Sequence, residues 1–166
     1  MKPLGIRAVC VALAALALAG PVSACTDVRD WLSVCTDSSQ WEAVVDKDGE
    51  TLFRNVDNYK AQVLVYKGDI ADGLTVEDVA RSSANSDAKS SQDYKVLARG
   101  EMPSGNIVFT SYAKRNDVDY IYASTLSMGA RETLRIITWR RGTEATEADR
   151  LAHRAFGKLI KVEGSR

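Results

Sequence analysis

Three strand-like segments and one helix-like segment follow one another between Gly105 and Val162, and the rest of the chain must pack against them. The predicted strands are Asn106–Arg115, Tyr120–Leu126 and Arg131–Arg141, where β-branched and aromatic residues alternate with polar ones. Short turns between them predict antiparallel pairing. The predicted helix covers about Glu147–Ile160, where apolar residues recur at helical spacing.

Further strands and a second helix are predicted upstream of this block. Thr75 and Asp78 have the spacing of a capping box, which predicts a helix through about Ser83. The upstream strands are predicted at Trp41–Val45, Thr51–Val56, Tyr59–Lys67 and Tyr94–Met102. This order predicts an α+β domain, built on a mainly antiparallel twisted sheet of about five to six strands with helices packed on it.

Two other segments are predicted to lie outside the sheet. Residues 25–40 are expected to form an N-terminal helical segment, because apolar side chains recur at helical spacing over Asp27–Cys35. Residues 82–93 are rich in serine and nearly free of apolar side chains. Such a composition has little to bury, so we expect a mobile connector there.

The first 24 residues have the layout of a secretory signal peptide. Lys2 and Arg7 precede a continuous apolar run, Ala8–Ala19, and small residues follow at 22–24. The apolar run is shorter than the ~20 residues that a membrane-spanning helix needs. We therefore expect residues 25–166 to be a single extracytoplasmic domain, located in the periplasm, on the membrane or outside the cell.

The charge balance argues against two classes of partner. The chain has 22 basic and 22 acidic side chains, and loss of the leader with Lys2 and Arg7 leaves a formal charge of −2. A nucleic-acid-binding protein normally shows an excess of positive charge, so no nucleic-acid partner is expected. The same balance gives no reason to expect charge-driven binding to an anionic membrane.

Cys25 has two possible roles, and the sequence leaves both open. The segment Val22-Ser23-Ala24-Cys25 is similar to a bacterial lipobox, in which the cysteine carries a lipid anchor. Alternatively, Cys25 forms a disulfide with Cys35 in an oxidising compartment. A continuous helix between them would hold their Cα atoms ~15 Å apart, so a disulfide requires the chain to fold back.

No motif in the chain identifies a catalytic centre, a metal site or a cofactor site. His153 is the only histidine, and we expect it to be a boundary residue hydrogen-bonded to Asp149. One histidine and two cysteines after the leader do not suffice for the usual transition-metal site. No phosphate-binding glycine motif is present. A pair of carboxylates converging from distant strands stays open as a hydrolase alternative.

The outer face of the strand block is the candidate binding surface. If Ile107, Phe109, Ile121, Leu134 and Ile136 face the helices, alternation directs their neighbours outward. Tyrosine, tryptophan and arginine are frequent anchors of interfaces and can stack on flat ligands. The predicted binding residues are Tyr112, Tyr120, Tyr122, Arg135 and Trp139. The alternative is that a second layer, such as the predicted helix around Trp31, covers this face.

From about Thr51 onward, the chain resembles the PsbP-like sandwich fold and, within it, the DcrB-type small bacterial envelope lipoproteins. The resemblance is carried by the segments NYKAQVLVYKG, LTVEDVARSS and DYKVLARGEMPSG, the strand block and the closing segment EATEADRLAHRAFGKLIKV. The leader ending in VSAC also fits that group. The resemblance implies an accessory or binding factor of the cell envelope.

Two functions are therefore expected from the sequence. The first is a non-catalytic extracytoplasmic binding or accessory protein, which presents the outer sheet face to another protein or to a small ligand of the envelope. An immunity-type inhibitor of a secreted toxin is one form of it. The second is an envelope hydrolase that uses a carboxylate or serine site without a recognisable motif.

Overall fold

The structure is a computed structural model, and it describes residues 25–36, 40–45, 50–67, 74–129 and 132–163. The predicted leader, residues 1–24, and residues 46–49 lie outside the described residues. Within the described ranges, neither helix has the length and apolar character needed to cross a bilayer.

The described residues form an α+β fold with mainly antiparallel sheets, as the sequence predicts. Seven strands pair in the order β3-β4-β5-β9-β8-β7-β6, and three more form a small sheet in the order β1-β2-β10. The predicted count of five to six strands is therefore too low. The elements are β1 (Cys25–Arg29), β2 (Leu32–Cys35), β3 (Trp41–Val45), β4 (Thr51–Asn55), β5 (Lys60–Lys67), α1 (Val76–Lys89), β6 (Tyr94–Glu101), β7 (Ile107–Arg115), β8 (Val118–Met128), β9 (Glu132–Arg141), α2 (Glu147–Gly157) and β10 (Ile160–Val162).

A two-residue turn sets the register of the central strands. Asn116 and Asp117 both have positive φ angles, 49° and 60°, which suits the tight turn of a hairpin. Arg115 consequently lies opposite Val118, and Ala113 lies opposite Tyr120. Directly opposed side chains share a face. Odd-numbered residues of β7 therefore lie on the same face as even-numbered residues of β8.

The two helices pack on opposite faces of the seven-stranded sheet. On one face, Val76, Val79 and Ala80 of α1 contact Ile107 and Phe109 of β7. On the other face, a larger core gathers around α2 and the small sheet. Its buried members are Leu32, Val34, Trp41, Phe53, Tyr59, Ala61, Val63 and Phe156.

The predicted helical segment at residues 25–40 is wrong. Its described part, residues 25–36 and 40, contains β1 and β2, which pair in antiparallel fashion with Cys25 opposite Cys35. The two Cα atoms are 3.9 Å apart and the cysteines form a disulfide. All four residues of β2 are buried, so tertiary packing and pairing on both edges outweigh the local helical spacing.

The predicted mobile connector at residues 82–93 is also wrong over most of its length. The helix that begins after Thr75 does not end at Ser83 but continues to Lys89. Ser83 is buried against the sheet. Asp87 forms an ion pair with Arg135 of β9 at 2.5 Å. Contacts of this kind stabilise a segment whose own sequence is a poor helix former.

The last predicted helix is shorter than expected. α2 ends at Gly157 rather than Ile160, and a turn at Lys158 and Leu159 leads into β10. Ile160 of β10 lies opposite Val34 of β2. The apolar residues at the end of the predicted helix therefore belong to the small sheet.

Candidate functional site

A cleft of about 1010 Å³ lies between α1 and the seven-stranded sheet. β5, β7, β8 and β9 supply its floor, and one side of α1 supplies a wall. A cleft of this size suits a small molecule rather than a flat protein surface. Its lining includes Gln62, Leu64, Tyr66, Leu74, Asp78, Val79, Ser82, Ser83, Ser86, Asp87, Tyr94, Arg115, Tyr120, Tyr122, Arg135, Ile137 and Trp139.

The N-terminal end of α1 is held firmly on the sheet. The backbone N–H of Asp78 donates to Thr75 Oγ1 at 3.2 Å, and the Thr75 N–H donates to Asp78 Oδ2 at 3.0 Å. This reciprocal cap satisfies two of the free N–H groups of the first turn. Glu77 also forms an ion pair with Arg99 of β6. These contacts fix the position of the cleft wall.

Three aromatic rings form a platform on the cleft floor. The Tyr120 and Tyr122 ring centroids are 6.0 Å apart, and those of Tyr122 and Trp139 are 6.3 Å apart with nearly parallel planes. The three residues share one face of the sheet, because Tyr120 and Tyr122 are two residues apart on β8 and Tyr122 lies directly opposite Trp139. We call this set the aromatic platform. Flat rings bind to such surfaces by offset stacking.

A charged cluster lies beside the aromatic platform. Arg135 donates to Asp87 from Nη2 to Oδ2 at 2.5 Å and to Ser124 Oγ at 3.3 Å. The Arg115 guanidinium lies 4.0 Å from Asp87 Oδ1 and 5.4 Å from the Tyr122 ring centroid. Burial acts against the charge of Arg135, but the hydrogen bond and charge of Asp87 outweigh it and raise its pKa. Arg135 therefore stays a cation although it is only 4% exposed.

Tyr94 and Tyr122 of the cleft remain protonated at neutral pH. Burial raises the pKa of Tyr122, and the nearby Arg115 charge offsets part of this effect. Burial likewise raises the pKa of Tyr94, whose neighbour Ser111 offsets part of the increase. Both hydroxyl groups are therefore neutral, and neither is a base at neutral pH.

Four of the five predicted binding residues line the cleft together. Tyr120, Tyr122, Arg135 and Trp139 come from β8 and β9 and share one face. Tyr112 does not belong to this group. It lies opposite Ile121 on the other face of the sheet.

Tyr112 has its own partner on that other face. Its hydroxyl donates to Asp119 Oδ1 at 2.5 Å, and this hydrogen bond raises the pKa of Tyr112 to about 12. The predicted facing set was wrong for β7. Ile107 and Phe109 lie on the cleft face with α1, whereas Ile121, Leu134 and Ile136 lie on the opposite face. The second layer expected as an alternative is present on part of the cleft face, but it is α1. Trp31, the suggested cover, packs with the core on the opposite face.

Several residues that complete the cleft are not predicted from the sequence. Ser82, Ser86 and Asp87 were assigned to a mobile connector, yet they lie on the wall that α1 provides. Tyr94 and Arg115 were assigned to strands without a role. One available signal was the two-residue turn after Arg115, since its length fixes which side chains share a face.

His153 lies on the face opposite the cleft, and its partners differ from those expected. Its Nε2 is 2.8 Å from Thr125 Oγ1, and its Nδ1 is 2.9 Å from Thr138 Oγ1. Asp149 instead accepts hydrogen bonds from Arg140 Nε at 2.6 Å and from the Tyr59 hydroxyl at 3.1 Å. The expected His153–Asp149 hydrogen bond is therefore wrong.

This placement limits the chemistry of the cleft. The only histidine of the chain is on the other face, so no serine in the cleft has an imidazole base. Asp78 and Asp87 both line the cleft but are nine residues apart on α1, about 13 Å along its axis. A glycosidase pair is typically ~5–9.5 Å apart. Within the described ranges, no group of three or more His, Cys, Asp or Glu side chains could hold a metal ion.

Comparisons with known proteins leave the family open. No family model matches the chain, and no curated protein matches it. Among solved structures, the protein of unknown function PA94 from Pseudomonas aeruginosa is 12% identical over 72% of this chain and 92% of that chain, with a TM-score of 0.44. A protein from Bacteroides thetaiotaomicron is 13% identical over 81% of this chain and 46% of that chain, with a TM-score of 0.42. Likenesses this distant assign neither a family nor a function.

Proposed function

We propose that this protein is a non-catalytic extracytoplasmic binding protein that holds a small ring-bearing molecule in the cleft between α1 and the sheet. The observation that carries the proposal is the aromatic platform of Tyr120, Tyr122 and Trp139 on the floor of that cleft. The platform supplies stacking surface, and the serine and charged side chains of α1 supply polar contacts.

The shape of the site favours a small ligand over a protein partner. A protein interface of ordinary size buries ~800 Å² on each partner and is centred on accessible anchor residues. Here α1 forms a wall beside the platform residues, and Tyr122 and Trp139 are only partly exposed. A flat partner surface, such as that of a toxin bound by an immunity-type inhibitor, would not reach them. We therefore propose a small molecule, and not a protein, as the ligand of the cleft.

The arrangement of polar groups argues against the hydrolase alternative. Asp87 is engaged by Arg135, and Asp78 is engaged in the cap of α1. The hydrogen bonds from Thr75 lower the pKa of Asp78, which makes that carboxylate a weak general base. Neither residue is left free to act on a substrate in the cleft.

The extracytoplasmic part of the proposal rests on the sequence of residues 1–24 and on the pairing of Cys25 with Cys35. Disulfides persist mainly in oxidising compartments. The sulfur of Cys25 is used in this disulfide, so it is not available for the thioether of a lipid anchor. Membership in the PsbP-like group stays part of this proposal and is not needed for the ligand hypothesis.

The proposal is tested by screening the protein against a library of flat ring compounds, with the backbone amide NMR signals of the cleft residues as the readout. We expect compounds that shift these signals, and we expect Trp139→Leu to weaken their binding by about ten-fold because stacking is lost. Tyr112→Leu is the matched control, since it removes an aromatic ring from the opposite face. Its affinities should stay within about two-fold of wild type.

Two results would contradict the proposal. One is a screen in which no compound perturbs the cleft signals. The other is a bound compound that mass spectrometry later finds converted to a product, because the proposed protein returns its ligand unchanged.

A further inference from the structure

The cleft contains two arginines that share one carboxylate. Asp87 Oδ2 accepts from Arg135 at 2.5 Å, and Asp87 Oδ1 lies 4.0 Å from Arg115. The first distance is a direct charge-assisted hydrogen bond, whereas the second is at the limit of an ion pair. One carboxylate thus faces two guanidinium groups, and this cluster has an excess of one positive charge.

Arg115 is the cation whose charge is not matched. Its other contacts are with neutral hydroxyls, from Nε to Ser91 Oγ at 3.3 Å and from Nη2 to Ser90 Oγ at 3.2 Å. Both serines follow the end of α1, where the helix contributes only about half a negative charge. The Arg115 side chain is 39% exposed and lines the cleft, so it is accessible to a ligand.

Unused donors surround the same cluster. Among the described residues, Arg135 Nε and the Tyr94 hydroxyl are buried and have no partner in hydrogen-bond geometry, although Tyr66 lies close enough to Arg135 to raise its pKa. Ser111 lies close to Tyr94 and affects its pKa, but its hydroxyl does not reach hydrogen-bond geometry and has no partner either. Buried donors without acceptors destabilise a protein. An acceptor oxygen supplied from the cleft, with a small shift of these side chains, would satisfy them.

We infer that the ligand of the cleft is a flat-ring monocarboxylate, whose carboxylate binds Arg115 while its ring stacks on the aromatic platform. This inference rests on the proposed function. A single carboxylate matches the excess charge of one and supplies the acceptors that Arg135 and Tyr94 lack. Arg115 lies 5.4 Å from the Tyr122 ring centroid, so the charged group and the ring surface adjoin each other.

The test compares pyrene-1-carboxylate with its uncharged amide, pyrene-1-carboxamide, by fluorescence titration of the full chain. Wild-type protein should bind the carboxylate about 10- to 100-fold more tightly than the amide, the range expected for a charge-assisted hydrogen bond. Arg115→Gln should abolish this difference and leave amide binding unchanged. Lys114→Gln is the matched control. It removes one positive charge next along the chain, on the opposite face, where Lys114 pairs only with Asp117 at 3.7 Å among the described residues.

Each result is decisive. Equal affinity of wild type for both probes, or an equal loss of both in Arg115→Gln, overturns the carboxylate inference and leaves the ring-binding function intact. A similar loss of preference in Lys114→Gln also overturns it, because the effect would then be general charge. If neither probe binds wild-type protein, the inference and the proposed function both fail.

Discussion

His153 is buried between two threonine hydroxyls and carries no charge-stabilising partner. It is 8% exposed, and burial lowers its pKa to about 4. The imidazole is therefore neutral in the folded protein at neutral pH, but it takes up a proton near pH 6.5 in the unfolded chain. Because the folded pKa is the lower one, the associated stability is present above pH 6.5 and is lost as pH falls toward 4.

We predict that the free energy of unfolding falls by about 2 kcal/mol between pH 7 and pH 5 because of His153 alone. Urea denaturation at several pH values measures it. His153→Gln cannot be protonated, so its stability should be lower at pH 7 but nearly independent of pH over this interval. A wild-type curve that is flat from pH 7 to pH 5 would show that His153 is not buried as a neutral ring.

The faces of the predicted site residues are correct for β8 and β9 and wrong for β7. Alternation along β8 and β9 correctly placed Tyr120, Tyr122 and Trp139 on one face. Tyr112 failed because it lies on β7, whose face depends on the register across the turn. Counting from Arg115 opposite Val118 would have moved Tyr112 to the opposite face.

At the scale of elements, α1 shows how tertiary contacts override composition. Serine, asparagine and aspartate disfavour helix interiors because their side chains compete for backbone hydrogen bonds. The capping box starts the helix, and the Asp87–Arg135 ion pair fixes its far end. The capping box is visible in the sequence. The partner of Asp87 lies 48 residues away and is not visible in the local pattern, which instead predicts a mobile connector.

We predict that Ala88→Gly lowers the free energy of unfolding by about 1 kcal/mol, the usual helix-interior effect of glycine. Ala88 is exposed and lies within α1, so the change removes little packing. Ala145→Gly is the control, because Ala145 is exposed and precedes α2. Thermal unfolding of both variants measures the difference. If Ala88→Gly were as stable as Ala145→Gly, residues 84–89 would not be helical.

The prediction of a helix at residues 25–40 was wrong for a related reason. The apolar spacing in residues 28–35 matches one face of a helix, but a four-residue strand buried on every side produces apolar residues as well. β2 is paired with β1 on one edge and with β10, from the far end of the chain, on the other. No local pattern contains that second pairing, and only the two cysteines hinted at the fold-back.

At the scale of the whole molecule, the seven-stranded sheet separates two regions with different tasks. One face holds the main core with α2 and the small sheet, and the other holds α1 and the cleft. The disulfide lies in the small sheet, so it contributes to the stability of the core and not to the cleft. Changes there should alter unfolding without altering ligand binding.

We predict that the double variant Cys25→Ser and Cys35→Ser loses about 2–3 kcal/mol of stability, the value expected for closing a loop of this length. Guanidinium denaturation measures this loss of stability. The cleft variants Trp139→Leu and Arg115→Gln are measured in the same way for comparison. Protein purified from its native host should have a mass two hydrogens below that of the reduced chain starting at Cys25. A lipid adduct at Cys25 would contradict the disulfide.

The pairing of β5 with β9 has a consequence for how the chain folds. β5 pairs with β4 on one edge and with β9 on the other, and Lys60 lies opposite Trp139. Everything between these residues, including α1 and the strands β6 to β8, forms one long loop that this pairing must close. Non-local pairings of this kind slow folding, because the loop-closure entropy is lost before the contacts form.

β8 and β9 can pair early through a local connection, but β5 supplies Gln62, Leu64 and Tyr66 to the cleft. The binding site is therefore complete only after the most distant pairing in the seven-stranded sheet, and a ligand can recognise only chains in which β5 has paired with β9.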